Sequence, residues 1–436
     1  MLPNEVLLEI FDFYADEDFD GLFDEDYDEQ RIQEWITLAH VCQRWRSVVF
    51  QAPRRLNLRL VCTPRTRVRD TLDIWPPFPL VIRDFGETFY EELSCLDNIL
   101  AALEHNDRVC QIDLHGFTSS QIEYFMDSAA IHKTFPELTD IRLEILNDGL
   151  RRILPDSFLG GNASRLRSII LRGVPFPALP KLLLTVTHLV LLDLDISPSA
   201  YIPPEAMATS LSALTSLESL RLNFRNPGPR PASGNQRPSP PPLTRTLFRG
   251  LTKIRFKGAS EYLEKILTWI DVLRLDELDI TFFNQLIFDT PQLFQFISRS
   301  PMLRAPEKGY VGFRSDAIIV KFLPKTPDYN VVSVRILCTA SEWQLSSLKQ
   351  VCTSSLPLFS TLEDLYVFEN QRDQPRWQDD VESTLWLELL RPFAAVKNLY
   401  LSDVFVPHIA PALQELVGER TTEVFPILEN IFLETY

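Results

Sequence analysis

Acidic residues near the N-terminus have the spacing of a calcium-binding loop. The residues that match the first nine positions of an EF-hand loop are Asp16, Asp18, Asp20, Gly21 and Asp24. Such a loop needs a bidentate Glu at its twelfth position, where this sequence has Tyr27. Because residues 16–29 hold nine carboxylates in 14 positions, the spacing also arises from composition alone. The sequence therefore favours a solvated acidic loop and predicts no metal site, with calcium binding left as the alternative.

The remaining residues that could do chemistry form no enzyme motif. The sequence has no His-Glu-x-x-His, no Gly-x-Ser-x-Gly, no Cys-x-x-Cys and, with only 14 glycines, no glycine-rich phosphate loop. The histidines are scattered, at positions 40, 105, 115, 132, 188 and 408. So are the cysteines, at positions 42, 62, 95, 110, 338 and 352. We therefore expect a chain that is not an enzyme and needs no cofactor, although a hydrolase site assembled only in space stays an alternative.

Charge limits the partners that the chain can bind. The sequence has 43 Lys and Arg against 59 Asp and Glu, a formal net charge of −16, which repels phosphate backbones and anionic lipid. Eight arginines between Arg44 and Arg69 offer a nucleic-acid patch, but no aromatic residues interleave them in a known binding motif. We expect these arginines to pair with the acidic loop instead, and we expect neither nucleic-acid nor membrane binding.

The N-terminal and apolar segments predict a location in the cytoplasm or nucleus. The segment MLPNEVLLEIF has no basic start and carries Glu5 and Glu9, unlike a signal peptide. The longest apolar run elsewhere, Leu182 to Leu192, covers about half a bilayer.

A short pattern, apolar-x-x-apolar-x-apolar, recurs eleven times, and a degenerate twelfth copy, Lys308-Val311-Phe313, fills a gap of double length. The average spacing of the twelve copies is about 29 residues. Its central residues are Ile112, Ile141, Ile169, Leu192, Leu220, Ile254, Leu278, Val311, Val334, Leu365, Leu399 and Ile431. Each copy alternates apolar and polar residues as a strand does, and segments such as Glu261 to Leu273 have helical spacing between copies. The pattern predicts an α/β protein built as an irregular leucine-rich-repeat-like solenoid, or horseshoe, of about 12 repeats.

The repeat pattern also predicts a column of outward-facing residues. Side chains alternate along a strand, so the residue between the last two apolar positions of each copy faces away from the core. The column reads Asp113, Arg142, Ile170, Asp193, Arg221, Arg255, Asp279, Gly312, Arg335, Tyr366, Tyr400 and Phe432.

Two stretches associated with this column suggest a target-binding site. One is a basic patch consisting of Arg221, Arg225, Lys253, Arg255 and Lys257. The other is an aromatic ladder consisting of Tyr366, Tyr400 and Phe432. The hypothesis is that the ladder anchors a protein segment and the patch pairs with acidic or phosphorylated residues. The alternative is that the basic residues are ordinary solvated charges and that the chain's own tail covers the C-terminal end with its ladder.

Charge and composition divide the chain into two parts. Residues 1–69, with an acidic inserted loop at 16–31, form a separate module, and residues 70–436 form the repeats. Residues 226–242 hold seven prolines in 17 positions and predict a disordered loop between repeats.

The N-terminal module is predicted to be all helical. Pro3 stands where a helix begins, and Val6, Leu7, Ile10 and Phe11 follow on one face. A second apolar stripe runs through the segment from Trp35 to Phe50. Because two or three short helices bury little core, we expect part of these stripes to contact a partner.

The segments LPNEVLLEIF and LAHVCQRWRSVVFQAPRRL together resemble an F-box, with its Leu-Pro-x-Glu-x-Leu-x-x-Ile-Phe opening and its later Val-Cys-x-x-Trp. The linker between them, Asp16 to Arg31, is longer than the family usually has. The layout of the whole chain is similar to leucine-rich-repeat F-box proteins of mushroom-forming fungi.

This resemblance implies that the F-box binds a Skp-type adaptor, which connects it to a cullin RING ubiquitin ligase, while the repeats bind a target protein. The adaptor-facing residues that it implies are Leu2, Pro3, Val6, Leu7, Ile10, Phe11, Leu38, Val41 and Trp45. One alternative is that all nine only form core. Another is a non-catalytic repeat scaffold for protein–protein interaction whose F-box is vestigial.

Overall fold

The structure is a computed structural model of the 436-residue chain. It describes residues 2–15, 35–53, 55–84, 96–145, 153–198, 201–225, 245–285, 287–300, 303, 306–323, 331–338, 341–355, 361–369, 383–414 and 424–434. The predicted acidic loop, with its calcium-loop spacing, and the proline-rich loop at 226–242 lie outside these residues. The chain divides into two compact units, Met1–Ala178 and Leu179–Tyr436.

The first unit begins with three helices and continues as alternating strands and helices. Its helices are α1 (Asn4–Ala15), α2 (Trp35–Val41), α3 (Gln43–Gln51), α4 (Val68–Ile74), α5 (Leu96–Leu103) and α6 (Ser119–Asp127). Its strands are β1 (Leu60–Cys62), β2 (Leu80–Asp84), β3 (Val109–Phe117), β4 (Asp140–Ile145) and β5 (Ser168–Arg172). The strands pair in chain order and all in parallel. Parallel strands need a crossover between them. Helices α4, α5 and α6 lie in the first three crossovers, and a short 3-10 helix, Phe158–Gly161, lies in the fourth.

Residues at the junctions explain where the first helices begin and end. The helix predicted after Pro3 is present as α1, whereas the second predicted stripe is divided into α2 and α3. The break lies at Cys42, whose Sγ accepts a hydrogen bond from the Trp45 amide at 3.4 Å and caps α3. Trp35 then contacts Trp75 and Phe78 edge to face, at ring centroid distances of 5.5 and 5.3 Å. These aromatic contacts hold the helical segment against the start of the strand region within the same unit.

The second unit repeats the strand–helix pattern over a longer span. Its helices are α7 (Leu179–Leu183), α8 (Pro204–Ser212), α9 (Ser260–Leu267), α10 (Pro291–Arg299), α11 (Ser341–Ser355), α12 (Ser383–Leu390) and α13 (Val406–Gln414). Its strands are β6 (Leu191–Ile196), β7 (Ser219–Phe224), β8 (Thr246–Phe248), β9 (Lys253–Gly258), β10 (Ile270–Val272), β11 (Glu277–Phe282), β12 (Lys308–Phe313), β13 (Ala317–Leu323), β14 (Val331–Leu337), β15 (Asp364–Glu369), β16 (Asn398–Ser402) and β17 (Asn430–Glu434).

The main sheet of this unit has one interruption in its parallel order. Its strands follow the order β6-β7-β9-β11-β14-β13-β12-β15-β16-β17, and β8 pairs with β10 separately. Strand β13 is antiparallel to both of its neighbours, so β12, β13 and β14 form a meander that enters the sheet in reverse order. The copy centred on Val311 is therefore a strand, but it lies beside β15 and not beside β11.

The predicted α/β class and its repeated strands are confirmed. The central residue of each of the twelve pattern copies lies in a strand. The apolar positions of β7 and β11 are buried, while the residues between them are partly exposed. Strands β1 and β2 were not predicted, because Leu60, Val61, Leu80, Val81 and Ile82 are all buried. A strand that is buried on both faces shows no alternation in its sequence.

The helical spacing over Glu261 to Leu273 overestimates the length of that helix. Helix α9 ends at Leu267, and Ile270 belongs to β10. Ile270 and Val272 are both buried and β-branched, and such residues suit a strand.

The Glu264 carboxylate of α9 caps α10. Its Oε2 accepts from the Gln292 amide and its Oε1 from the Leu293 amide, both at 2.8 Å. Burial raises the pKa of Glu264 from 4.5 to about 7, although the two amide donors act in the opposite direction. Between these two values the folded chain holds a proton that the unfolded chain has released, so this group's contribution to stability falls as the pH rises.

We therefore expect the stability advantage of the native chain over Glu264→Gln to shrink by about 1 to 2 kcal/mol between pH 4.5 and pH 8. Urea unfolding at both pH values measures it, and the exposed Glu261→Gln on the same helix is the matched control. A difference that stays constant or grows with pH would show that the amides hold Glu264 ionised.

No helix among the described residues is both long and apolar enough to cross a membrane.

Candidate functional site

The nine motif residues of the N-terminal helices separate into a buried set and an exposed set. Leu7, Phe11 and Leu38 are buried in the first unit, and Trp45 is half-buried. The exposed residues are Leu2, Pro3, Val6, Ile10 and Val41. The structure therefore gives core roles to only part of the set.

The exposed residues of α1 and its start form one apolar stripe. Leu2, Val6, Ile10 and Phe13 follow each other at intervals of four, four and three residues, which places them on one helix face. Their exposed fractions are 51%, 40%, 47% and 84%. Contiguous apolar surface in water is typical of a partner-binding face. Sequence reasoning missed Phe13, although its spacing from Ile10 continues the helical period.

Contacts with α3 fix the orientation of this stripe. The Phe11 ring packs on Trp45 at a centroid distance of 4.8 Å. Arg44 donates to Asn4 Oδ1 at 2.9 Å and also to the Leu2 carbonyl oxygen. Arg55 pairs with Glu9 at 2.5 Å and with Asp12 at 3.6 Å. Two of the eight clustered arginines thus hold α1 in place, while their predicted pairing with residues 16–29 lies outside the described residues.

In the second unit, most of the predicted column is a single row across the sheet. Asp193, Arg221, Arg255 and Asp279 are register neighbours on β6, β7, β9 and β11. The row continues through Ser333, Lys321, Tyr310, Tyr366, Tyr400 and Phe432.

Two predicted members of the column are on the expected face of the sheet but lie in a different row. Arg335 pairs with Thr281 and Gly312 pairs with Phe368, so both lie one row away, and Ser333 and Tyr310 take their places. A shift of two residues leaves every side chain on the same face of the sheet, so the apolar pattern cannot distinguish the two registers. The reversed meander β12–β14 sets the register instead.

The predicted aromatic ladder is present and is one ring longer. Tyr310, Tyr366, Tyr400 and Phe432 stack in order, with centroid distances of 4.5, 4.2 and 4.7 Å and interplanar angles of 8°, 7° and 14°. Burial, and then the neighbouring Tyr400, raise the pKa of Tyr366, so its hydroxyl stays protonated at neutral pH. The three tyrosines are half-buried and Phe432 is 43% exposed.

A row of amides runs beside the rings. Asn398 Nδ2 donates to Asp364 Oδ1, and Asn430 Nδ2 donates to Asn398 Oδ1, both at 2.8 Å. These three residues occupy the first position of β15, β16 and β17. The two ladders together make the end of the sheet a surface of rings, hydroxyls and amides.

The predicted basic residues also lie on one face, but acidic residues accompany them. Arg225 pairs with Asp195 at 2.7 Å and Arg255 with Glu277 at 2.7 Å. Arg221 forms a longer ion pair with Asp193, with a nitrogen–oxygen distance of 3.7 Å. Lys253 and Lys257 extend the patch on β9, without a carboxylate partner among the described residues. The Glu277 carboxylate raises the pKa of Arg255 and keeps that side chain charged.

In the first unit, the predicted outward column is buried, which contradicts its expected exposure. Asp113, Arg142 and Ile170 have exposed fractions of 1%, 4% and 4%. Asp113 pairs with Arg83 at 3.3 Å and contacts His115 at 2.9 Å, and Arg142 lies 4.0 Å away. The strand pattern predicts the face of each residue but not its exposure, and Asp113 is packed against side chains of the neighbouring strands, Arg83 and Arg142.

The described residues offer little for nucleophilic or metal chemistry. Burial raises the pKa of the Cys62 thiol to about 11 and also raises that of Cys110, so neither forms a thiolate readily at neutral pH. Within these residues, no group of three or more His, Cys, Asp or Glu side chains has the geometry to hold a metal ion.

Comparisons with known proteins include a weak structural likeness to a solved structure. No protein-family model matches the chain, and no curated protein matches it. A solved structure, that of the leucine-rich repeat-containing protein LegL7 from Legionella pneumophila, is similar over 70% of this chain and 86% of that chain, with 11% identity and a TM-score of 0.27. The description of the chain as an α/β repeat protein therefore rests on the strand registers and crossover helices given above.

Proposed function

We propose that the chain is the target-recruiting subunit of an SCF-type ubiquitin ligase. In this proposal the apolar stripe of α1 binds a Skp-type adaptor, and the exposed strand face of the second unit binds the target protein. The chain itself catalyses no reaction and needs no cofactor. It works in the cytoplasm or nucleus by holding target lysines near the catalytic partner of the ligase.

One observation carries the adaptor half of the proposal. The residues that match the F-box opening divide into Leu7 and Phe11, which hold the helix in place, and Leu2, Val6 and Ile10, which face water. A contiguous stripe of exposed apolar side chains is typical of an interaction face. An ordered apolar face fixed by Arg44 and Arg55 suits a preformed interface.

Binding to a recombinant Skp-type adaptor tests this half directly. The double variant Val6→Ser plus Ile10→Ser is expected to weaken adaptor binding about 100-fold, because two interface anchors are lost. Its thermal unfolding should stay close to that of the native chain, since both side chains are exposed. Surface plasmon resonance measures the affinity.

The matched control is Ile74→Ser, which changes an apolar residue of the same unit that is 75% exposed but lies outside the stripe. It should bind the adaptor as the native chain does. If the native chain itself fails to bind, the adaptor role is wrong, and the alternative of a repeat scaffold with a vestigial F-box is favoured.

A further inference from the structure

Among the described residues, β17 is the last strand at one edge of the second unit's sheet. The Asn430 amide donates to the Lys397 carbonyl oxygen of β16 at 3.0 Å. In a parallel strand alternate residues direct their backbone groups to the same side, so the N–H and C=O groups of Ile431 and Leu433 face away from β16. Among the described residues, no strand lies on that side.

The side chains of this edge are uncovered on both faces of the sheet. Ile431, Phe432 and Leu433 have exposed fractions of 50%, 43% and 61%. The register partners of Ile431 and Leu433 in β16, Leu399 and Leu401, have fractions of 0% and 3%. An apolar edge strand with free backbone groups is a template for pairing with another strand.

Three side-chain rows end at this edge and determine what would continue them. The ring row ends at Phe432, whose neighbour on one side is Tyr400. The amide row ends at Asn430, where each amide donates to the residue of the preceding strand. A strand that paired with β17 would therefore continue these rows with an aromatic ring opposite Phe432 and a carboxamide opposite Asn430.

The third row consists of the charged residues that directly precede β15, β16 and β17, which are Glu363, Lys397 and Glu429. Lys397 Nζ lies 2.9 Å from Glu363, and Glu429 also acts electrostatically on Lys397. Glu429 is exposed and forms no ion pair with the described residues. A cation on the next strand would meet Glu429 as Lys397 meets Glu363.

We propose that β17 binds an extended segment of a partner protein by parallel strand addition. The segment would carry a cation, a carboxamide, an aliphatic residue, an aromatic residue and an aliphatic residue, in that order. A second copy of the chain is a poorer occupant, because the formal charge of −16 opposes self-association. This inference rests on the target-binding half of the proposed function and is independent of adaptor binding.

The chain's own strand β16 supplies the probe. A capped, fluorescent peptide that copies Lys397–Ser402, Lys-Asn-Leu-Tyr-Leu-Ser, has the required order. Its binding to the full-length chain is measured by fluorescence anisotropy, with a scrambled peptide of the same composition as the control. We expect the ordered peptide to bind and the scrambled peptide to bind at least about tenfold more weakly.

Two variants locate the peptide on β17. Ile431→Pro removes an outward N–H while leaving the bonds to β16 intact, so it should weaken binding about tenfold or more. Ile427→Ala changes an exposed apolar residue just before the strand and should leave the affinity unchanged. Equal binding to the native chain and to Ile431→Pro would overturn the proposal.

A charge swap tests the register without depending on proline. The native chain should prefer the lysine peptide over the same peptide with Glu in place of Lys, and Glu429→Lys should reverse that preference. Failure of both peptides to bind, an unchanged preference, or a concentration-dependent dimer that Ile431→Pro abolishes would overturn the proposal. Because no adaptor is present, none of these results depends on the F-box.

Discussion

Replacing Asp113 by Ala is expected to lower the free energy of unfolding of the first unit by about 3 to 5 kcal/mol. Asp113 is 1% exposed and is a register neighbour of Arg83 on one side and Arg142 on the other. Both guanidinium groups are themselves nearly buried, with 4% and 5% of each side chain exposed. Removing the carboxylate takes a shared negative partner away from two nearly buried guanidinium groups, although Arg142 keeps Glu144 at 3.4 Å.

Chemical denaturation with far-UV circular dichroism measures this loss. The matched control is Asp73→Ala, since Asp73 is exposed on α4 of the same unit and should change stability by less than about 0.5 kcal/mol.

A double variant distinguishes lost charge pairing from lost packing. Adding Arg83→Met to Asp113→Ala removes one of the two guanidinium groups that faced the lost carboxylate, and it should recover about 1 to 3 kcal/mol relative to additive effects. If the two effects simply add, the buried pair is not what makes Asp113 important.

Replacing Phe11 by Ala is expected to destabilise the first unit by about 3 to 5 kcal/mol. Phe11 is 0% exposed and packs against Trp45, so truncation leaves a cavity between α1 and α3. The same helix offers a matched control in Phe13, which is 84% exposed. Phe13→Ala should change stability by less than about 0.5 kcal/mol.

The Phe11→Ala and Phe13→Ala variants together distinguish the two roles of α1, packing against α3 and binding the adaptor. Phe13 belongs to the exposed stripe, so Phe13→Ala should weaken adaptor binding without lowering the melting temperature. Equal melting temperatures for the two variants would show that Phe11 does not hold α1 against α3. The division of the α1 residues into a buried and an exposed set would then be wrong.

The sequence by itself determined twelve of the strands and the faces of their side chains. The period-two alternation around residues such as Leu220 and Leu278 records which face of a strand is buried, because one face packs against helices and the other does not. That pattern placed all twelve predicted strands correctly. It also brought Tyr366, Tyr400 and Phe432 together, since in-register parallel strands stack equivalent positions.

Only the tertiary structure decided the order of the strands in the sheet and which of their outward-facing side chains are buried. The meander β12–β14 enters the sheet in reverse and shifts its register by two residues, which alternation cannot detect. Burial of the Asp113 row depends on contacts made far along the chain, and no local period encodes them. The division of the F-box-like residues into core and exposed stripe likewise depended on how Phe11 met Trp45, because spacing alone gives one helix face and not its neighbour.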